Sequence, residues 1–241
     1  MIRCLALILL LTTQTIASAQ TETTIRFAPQ VMTVFPTFLG VGAAVVINDH
    51  FEPSVAFGLM PQPYYQVIGD VAASLADNSA YKDVVEAAFQ NNLIWRIGLQ
   101  YNFIKPEEGW WIGFANSLVN SSGVADINQV LQAGTGKDYT QLKNLLTAAG
   151  RSTQVDIEGF LLIAELRAGY SWSLAPQCVL KASGGLAKIF SADIKLETGL
   201  PNFEASAAGN SLMRSSEQEL EDIVIQYGVS PILGLDLAYY F

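Results

Sequence analysis

Past residue 37 the chain alternates apolar positions with small or polar ones, in segments of about ten residues, the period of two that belongs to strands. From Phe38 to Ile47, the residues Leu39, Val41, Ala43, Val45 and Ile47 share one face and Gly40, Gly42 and Ala44 the other; Asn48-Asp49-His50 then reads as a tight turn. Phe51 to Met60 continues with Phe51, Pro53, Val55, Phe57 and Leu59 against Glu52, Ser54, Ala56 and Gly58. The clearest alternation follows a break: Leu93, Trp95, Ile97, Leu99, Tyr101 and Phe103 on one side, Ile94, Arg96, Gly98, Gln100 and Asn102 on the other. Lys105 to Gly109 turns it, and Trp110, Ile112, Phe114 and Leu118 return against Trp111, Gly113, Ala115 and Ser117. Gln154 to Leu174 sets Phe160, Leu162, Ala164, Leu166, Ala168, Tyr170 and Trp172 opposite Glu165, Arg167, Gly169 and Ser171. After Ala175-Pro176-Gln177, the segment Cys178 to Phe190 places Leu180, Ala182 and Leu186 opposite Lys181 and Ser183, with Gly184-Gly185 as the expected place for a bulge. A weaker strand spans Thr23 to Met32, interrupted by Pro29, with a turn at Val34 to Thr37.

Between these segments the period changes to that of a helix. Tyr65 to Phe89 carries Val67, Ile68, Val71, Leu75, Val84, Val85, Ala88 and Phe89 at helical spacing, broken at Asp77-Asn78-Ser79. Helical patches also fall at Ile127 to Leu131 and Tyr139 to Ala149, within a loop from Asn120 to Thr153. In the last loop, Ser191 to Gly228, Ser216 with Glu219 three residues on has the form of a capping box opening a helix with Leu220, Ile223 and Val224.

The final segment, Val229 to Phe241, repeats the alternation with Leu233, Leu235, Leu237, Tyr239 and Phe241 against Gly234, Asp236 and Ala238, and ends on its aromatic residue. This ending resembles the C-terminal strand of bacterial outer-membrane β-barrels, and the chain resembles the small OmpA-like and OmpW-like barrels. The resemblance implies an all-β fold: an antiparallel, eight-stranded, up-and-down transmembrane β-barrel with short helices in its surface loops. It also implies that Tyr239 and Phe241 belong to the signal read by the barrel assembly machinery. The connections agree, since short turns at 48–50, 105–109 and 175–177 alternate with the three long loops. So do the aromatic residues Phe51, Tyr101, Phe103, Trp110, Trp111, Tyr170, Trp172, Tyr239 and Phe241, which lie at strand ends beside a short turn or the C-terminus and are expected to form one interfacial ring.

Met1 to Ala19 has the form of an export signal: Arg3, an apolar run from Leu5 to Leu11, and Ala17-Ser18-Ala19 as a cleavage site. The expected division is therefore a cleaved segment, 1–19, and a barrel domain, 20–241. Cys4 leaves with the signal, so Cys178 has no partner for an internal disulfide. Hydrophobic residues make up 51 % of the chain and the mean hydropathy is +0.30, yet no mature segment approaches the ~20 apolar residues of a transmembrane helix. Loss of Arg3 takes the formal charge from −9 to −10, which makes nucleic acid a poor partner.

The inward faces carry the candidate chemistry. Glu52, Arg96, Gln100, Asn102, Glu165, Arg167, Lys181 and Asp236 mix both signs, and charges inside a narrow barrel must pair or meet water. They form either a structural network filling the lumen or a narrow polar pathway or ligand site. Other motifs point elsewhere only weakly. Gly40-Val41-Gly42 lacks the third glycine of a dinucleotide fingerprint and is followed by a turn; Gly134-Thr135-Gly136-Lys137 continues into Asp138 where a phosphate loop needs Ser or Thr. The acidic run Glu217, Glu219, Glu221 and Asp222 reads as a solvated helix face near an N-terminus. Outer-membrane hydrolases commonly use a surface His, whereas His50 falls in a turn at the opposite end. The expectation is a non-enzymatic barrel without cofactor or metal, in contact with outer-membrane lipid and with a structural or surface-interaction role. The alternatives are a narrow conduit for small hydrophobic molecules, with one such molecule as ligand, and, further off, a lipid-modifying enzyme; oligomeric state is left open.

Overall fold

The computed structural model of the chain describes residues 23–241, so the segment 1–19, expected to be an export signal, lies outside the described residues. Eight antiparallel strands close in sequence order into one barrel: β1 (Ile25–Phe35), β2 (Phe38–Ile47), β3 (Phe51–Leu59), β4 (Asn91–Asn102), β5 (Gly109–Asp126), β6 (Gln154–Ala175), β7 (Cys178–Glu197) and β8 (Val229–Tyr239). Closure leaves no exposed sheet edge where all eight strands overlap. The helices all belong to the long connections: α1 (Gln62–Ala76) and α2 (Ala80–Ala88) after β3, α3 (Ile127–Thr135) and α4 (Thr140–Ala148) after β5, and α5 (Pro201–Glu204) and α6 (Ala207–Tyr227) after β7.

The barrel is apolar outside and mixed inside. Along β8 the odd residues are exposed and the even ones from Ile232 are buried, and β4 alternates in the same sense. Asn48 and Asp49 have positive φ, the left-handed pair at the centre of a tight turn that the His50 amide closes on the Ile47 carbonyl at 3.2 Å. On the turn side the outward aromatic rings touch one another in edge-on pairs: Tyr101 with Phe51 and Phe103, Trp110 with Tyr170, Tyr239 with Phe241. Trp111 is not in this ring. It is 1 % exposed and lies in the lumen because it alternates with Trp110; Gly169 opposite it has no Cβ, and one placed there would come within 2.6 Å of the indole.

Several boundaries differ from the sequence reading. β1 runs to Phe35 and the turn shrinks to Pro36-Thr37, because pairing with β8 holds the strand despite Pro29. β5 and β7 reach Asp126 and Glu197, well beyond their expected ends, and stand with the long β6 as a tall wall. Gly184 and Gly185 stay in register opposite Ala168 and Arg167; the bulge is at Phe190, since Ile163 pairs with Ile189 and Leu162 with Ser191. The extra residue turns Ile194 and Leu196 inward and leaves Asp193 and Lys195 exposed, which keeps two charges out of an apolar mouth. Ser216 does not cap a helix. It is buried within α6 against Gly134 of α3, and Ser206 is the N-cap, accepting from the Gly209 amide at 3.0 Å. A capping box does exist at α3, where Asp126 accepts from the Asn128 amide and Gln129 from the Asp126 amide.

The acidic run is likewise not at a helix N-terminus. Glu217 and Glu221 accept from the Leu196 and Ile194 amides at 3.0 and 2.9 Å. These carboxylates satisfy the part of β7 that rises above β8, so the helix covers an otherwise free strand edge.

The outward register of β8 has a direct test. We expect Leu235→Arg to destabilise the barrel in lipid by ~2 to 4 kcal/mol if the site lies near the bilayer midplane, and Asp236→Asn to leave lipid contact intact. Denaturant titration in bilayers reads both; the reverse order would mean that the register is wrong by one residue.

Candidate functional site: two charged layers in the barrel lumen

All eight lumen residues named from parity face the barrel interior, and the structure gathers them into two groups. The group nearer the turns centres on Glu52 of β3, which is 2 % exposed. Lys181 of β7 donates to one carboxylate oxygen at 2.5 Å and Gln30 of β1 donates to the same oxygen at 2.7 Å. Gln100 and Asn102 of β4 donate to the other oxygen at 3.3 and 3.4 Å, and the Tyr240 hydroxyl reaches both. One carboxylate thus ties together strands from opposite sides of the barrel. Below it, Ala28, Ala44, Val46, Val179 and Ala238 fill the turn end together with the Tyr240 ring.

The second group lies nearer the loops. Arg96 of β4 donates to Glu165 of β6 at 2.6 Å, and both side chains are almost wholly buried. Ser117 donates to the other Glu165 oxygen at 3.4 Å. Arg167 approaches the same carboxylate at 4.0 Å and Asp236 of β8 at 3.4 Å. The Arg96 and Arg167 guanidinium groups also lie over the rings of Phe38 and Trp111, 5.8 and 5.5 Å from the centroids. Cation–π contact supplements the ion pairs where water is scarce. Above this layer Met32, Phe38, Ile94, Leu161, Ile163 and Ile232 pack as an apolar stopper.

Three positive and three negative charges therefore meet inside the barrel. Their pairing matters because a desolvated charge without a partner costs several kcal/mol. Parity found all six charges, Gln100 and Asn102, and set Trp111 inside although the expected aromatic ring claimed it for the outside; it missed Gln30 and Tyr240. Gln30 was hidden by Pro29 beside it; Tyr240 lies one residue beyond the regular strand, although an even position predicts its inward direction.

Outside the lumen, Arg26 forms ion pairs with Asp49 and Glu107 across the turn end. Partial burial pushes the Glu107 carboxyl up, but the Arg26 hydrogen bond and charge outweigh it and hold the group below the ordinary carboxylate range. His50 donates through Nδ1 to the Asn102 carbonyl, at 2.8 Å, and stacks on Tyr101. Gly136 ends α3 in the left-handed conformation, and Gly40 and Gly42 are inward residues of β2, so neither glycine motif forms a phosphate cradle. No cluster of three potential metal ligands occurs among the described residues.

No family model and no curated protein matches the chain. Among solved structures it is similar to eight-stranded outer-membrane barrels. A major outer membrane protein from Thermus thermophilus has 15 % identity, with 90 % of this chain and 100 % of that chain covered and a TM-score of 0.43. For the N-terminal β-barrel domain of Pseudomonas aeruginosa OprF the values are 10 %, 91 %, 100 % and 0.37, and for Neisserial surface protein A they are 12 %, 90 %, 96 % and 0.36.

The upper layer should behave as a coupled unit. We expect Arg96→Met or Glu165→Leu alone to cost about 3 to 5 kcal/mol, and the double variant to cost much less than their sum. Equilibrium unfolding in lipid measures the cycle; strictly additive losses would show that the two side chains do not interact.

Proposed function

We propose that this chain is a non-enzymatic integral β-barrel of a Gram-negative outer membrane, exported with a cleaved signal. In this reading its loop helices face the outside, its short turns face the periplasm, and its lumen is closed. The observation that carries the reading is the inverted polarity of the barrel. Val55, Ile97, Leu166 and Leu186 lie on four different strands and are 60, 64, 64 and 58 % exposed, while Glu52, Arg96, Glu165 and Lys181 are buried inside. A continuous apolar belt around the whole molecule far exceeds the patches of a few hundred Å² that soluble monomers expose. In lipid the same belt is the stable arrangement.

The two charged layers favour a structural or surface-presenting role over an axial conduit. Small hydrophobic molecules would have to pass first between Arg96 and Glu165 and then between Lys181 and Glu52. The single His of the mature chain, His50, is held in a turn at the periplasmic end in this orientation, so no general base of that type reaches the outer surface. The terminal residues Tyr239 and Phe241 would engage the assembly machinery.

Three experiments test this. The protein should fractionate with the outer membrane and migrate faster on a gel unboiled than boiled, and proteoliposomes should show no flux of ions or of small hydrophobic solutes. Extraction by salt with unchanged mobility would contradict the membrane reading, and solute uptake would contradict the closed lumen. Deletion of Phe241 should impair assembly far more than Phe190→Ala; equal yields of folded barrel would remove the assembly role from the terminus.

A further inference from the structure

Above the upper charged layer, between the barrel and its loop helices, lies an apolar cavity of about 150 Å³. The barrel contributes Leu161, Ile163 and Ile189 to its lining, and the helices contribute Val85, Ile223 and Val224. Its position relative to the barrel wall decides where it opens. β1, β2 and β3 have 11, 10 and 9 residues, whereas β5, β6 and β7 have 18, 22 and 20. A tilted strand needs ~9–11 residues to cross a bilayer. The low side therefore ends at the membrane surface while the high side stands above it.

The low side is also incomplete. Phe35, the last residue of β1, pairs with Leu233, so residues 229–232 of β8 pair only with β7. Helix α1 lies over this gap, pinned by the Tyr64 hydroxyl at 2.5 Å from Thr33 Oγ1 and by the edge of its ring against Phe35. Val67, Val71 and Leu75, spaced four apart on α1, line the cavity yet are 38, 48 and 51 % exposed. Pro36 and Val229 complete the lip. The mouth is thus greasy inside and out, and it runs directly into the lipid-facing surface at Leu233.

We propose that this cavity binds the end of one alkyl chain of an outer-leaflet lipid, admitted over the low wall between α1 and the start of β8. The proposal rests on the reading above that the barrel spans the outer membrane with its loops outward. An apolar cavity of this size stays dry and accepts a hydrocarbon guest, and a lipid chain is already present at the lip, where an aqueous solute would first have to cross the bilayer surface. Lys188, the partner of Val229 in the ladder, lies outward over the Phe190 ring and sets a cation beside the opening, where an anionic headgroup attached to that chain would sit. The bound chain would pack α1 and α6 onto the barrel rim, a role in holding the surface loops that does not require passage through the lumen.

The test is nuclear magnetic resonance of perdeuterated protein with protonated Leu, Ile and Val methyl groups, in nanodiscs of protonated dimyristoyl phosphatidylcholine and phosphatidylglycerol. Cross-relaxation from the lipid methylenes is expected at Leu161 and Ile163, which face inward and are 4 % exposed, as well as at the outward Leu233 and Leu235. Ala72→Phe, which fills the cavity, should abolish the inner contacts and keep the outer ones; Ile223→Phe provides the same test if the first variant does not fold. Outer contacts without inner ones in the unaltered protein would overturn the lipid-chain site alone. Absence of all four would overturn the membrane reading beneath it. With deuterated chains and added benzene, contacts from benzene where the chains gave none would assign the cavity to a free solute and equally overturn the proposal.

Discussion

Six ionisable side chains share one narrow lumen, and each needs a partner of opposite sign within reach; the rest of the structure depends on meeting that constraint. Glu52 meets it by drawing donors from three other strands and the residue after β8 onto one carboxylate. Glu165 does the same between Arg96 and Arg167, and Asp236 takes the remaining side of Arg167. These pairs form only when the strands close in the observed register, because a slip of one residue on any strand would turn its charge toward the apolar exterior. Polar pairing inside and apolar exposure outside thus specify the same register, and a break in one would be felt in the other.

The loops solve a separate problem, the uneven height of the wall. Strands β5 to β7 rise beyond β1 to β3, and their upper parts would be free edges in water. Helix α6 covers β7 with Glu217 and Glu221 on its amides, and α3 packs on α6 where Gly134 lets the helices approach at Ser216. The same asymmetry leaves the apolar mouth beside the low side, so the loop core and the cavity share one cause. The bulge at Phe190 serves both, since it delivers Ile194 and Leu196 to the loop core.

Strand number, direction and facing were legible in the sequence because a two-residue period survives wherever one face is apolar and exposed and the other meets a crowded interior. Glu52, Arg96, Glu165, Arg167, Lys181 and Asp236 could be placed from that period alone. Which acid meets which base could not, because partners such as Arg96 and Glu165 are 69 residues apart and meet only through closure. The ends of β5 and β7 were hidden for a different reason. In the upper parts of these strands the outward residues are polar, so Asn120, Ser122, Asp193 and Lys195 interrupt the apolar rhythm while the backbone continues as strand. Ser216 with Glu219 imitated a capping box in the middle of a long helix, a reminder that this pattern marks a start only where the preceding residues are not already helical.

The proposed closure of the lumen is tested most directly by single-channel recording in planar bilayers, comparing the unaltered protein with variants that remove the upper pair (Arg96→Ala with Glu165→Ala), the lower pair (Lys181→Ala with Glu52→Ala), or both. In the proposed closed-lumen reading either layer alone blocks the axis, and the apolar packing above and below narrows it further, so the unaltered barrel and each single-layer variant should be silent, and any discrete conductance should appear only when both layers are removed. Steady open-channel steps in the unaltered protein, or full conductance after loss of one layer, would show that the charged side chains do not close the barrel.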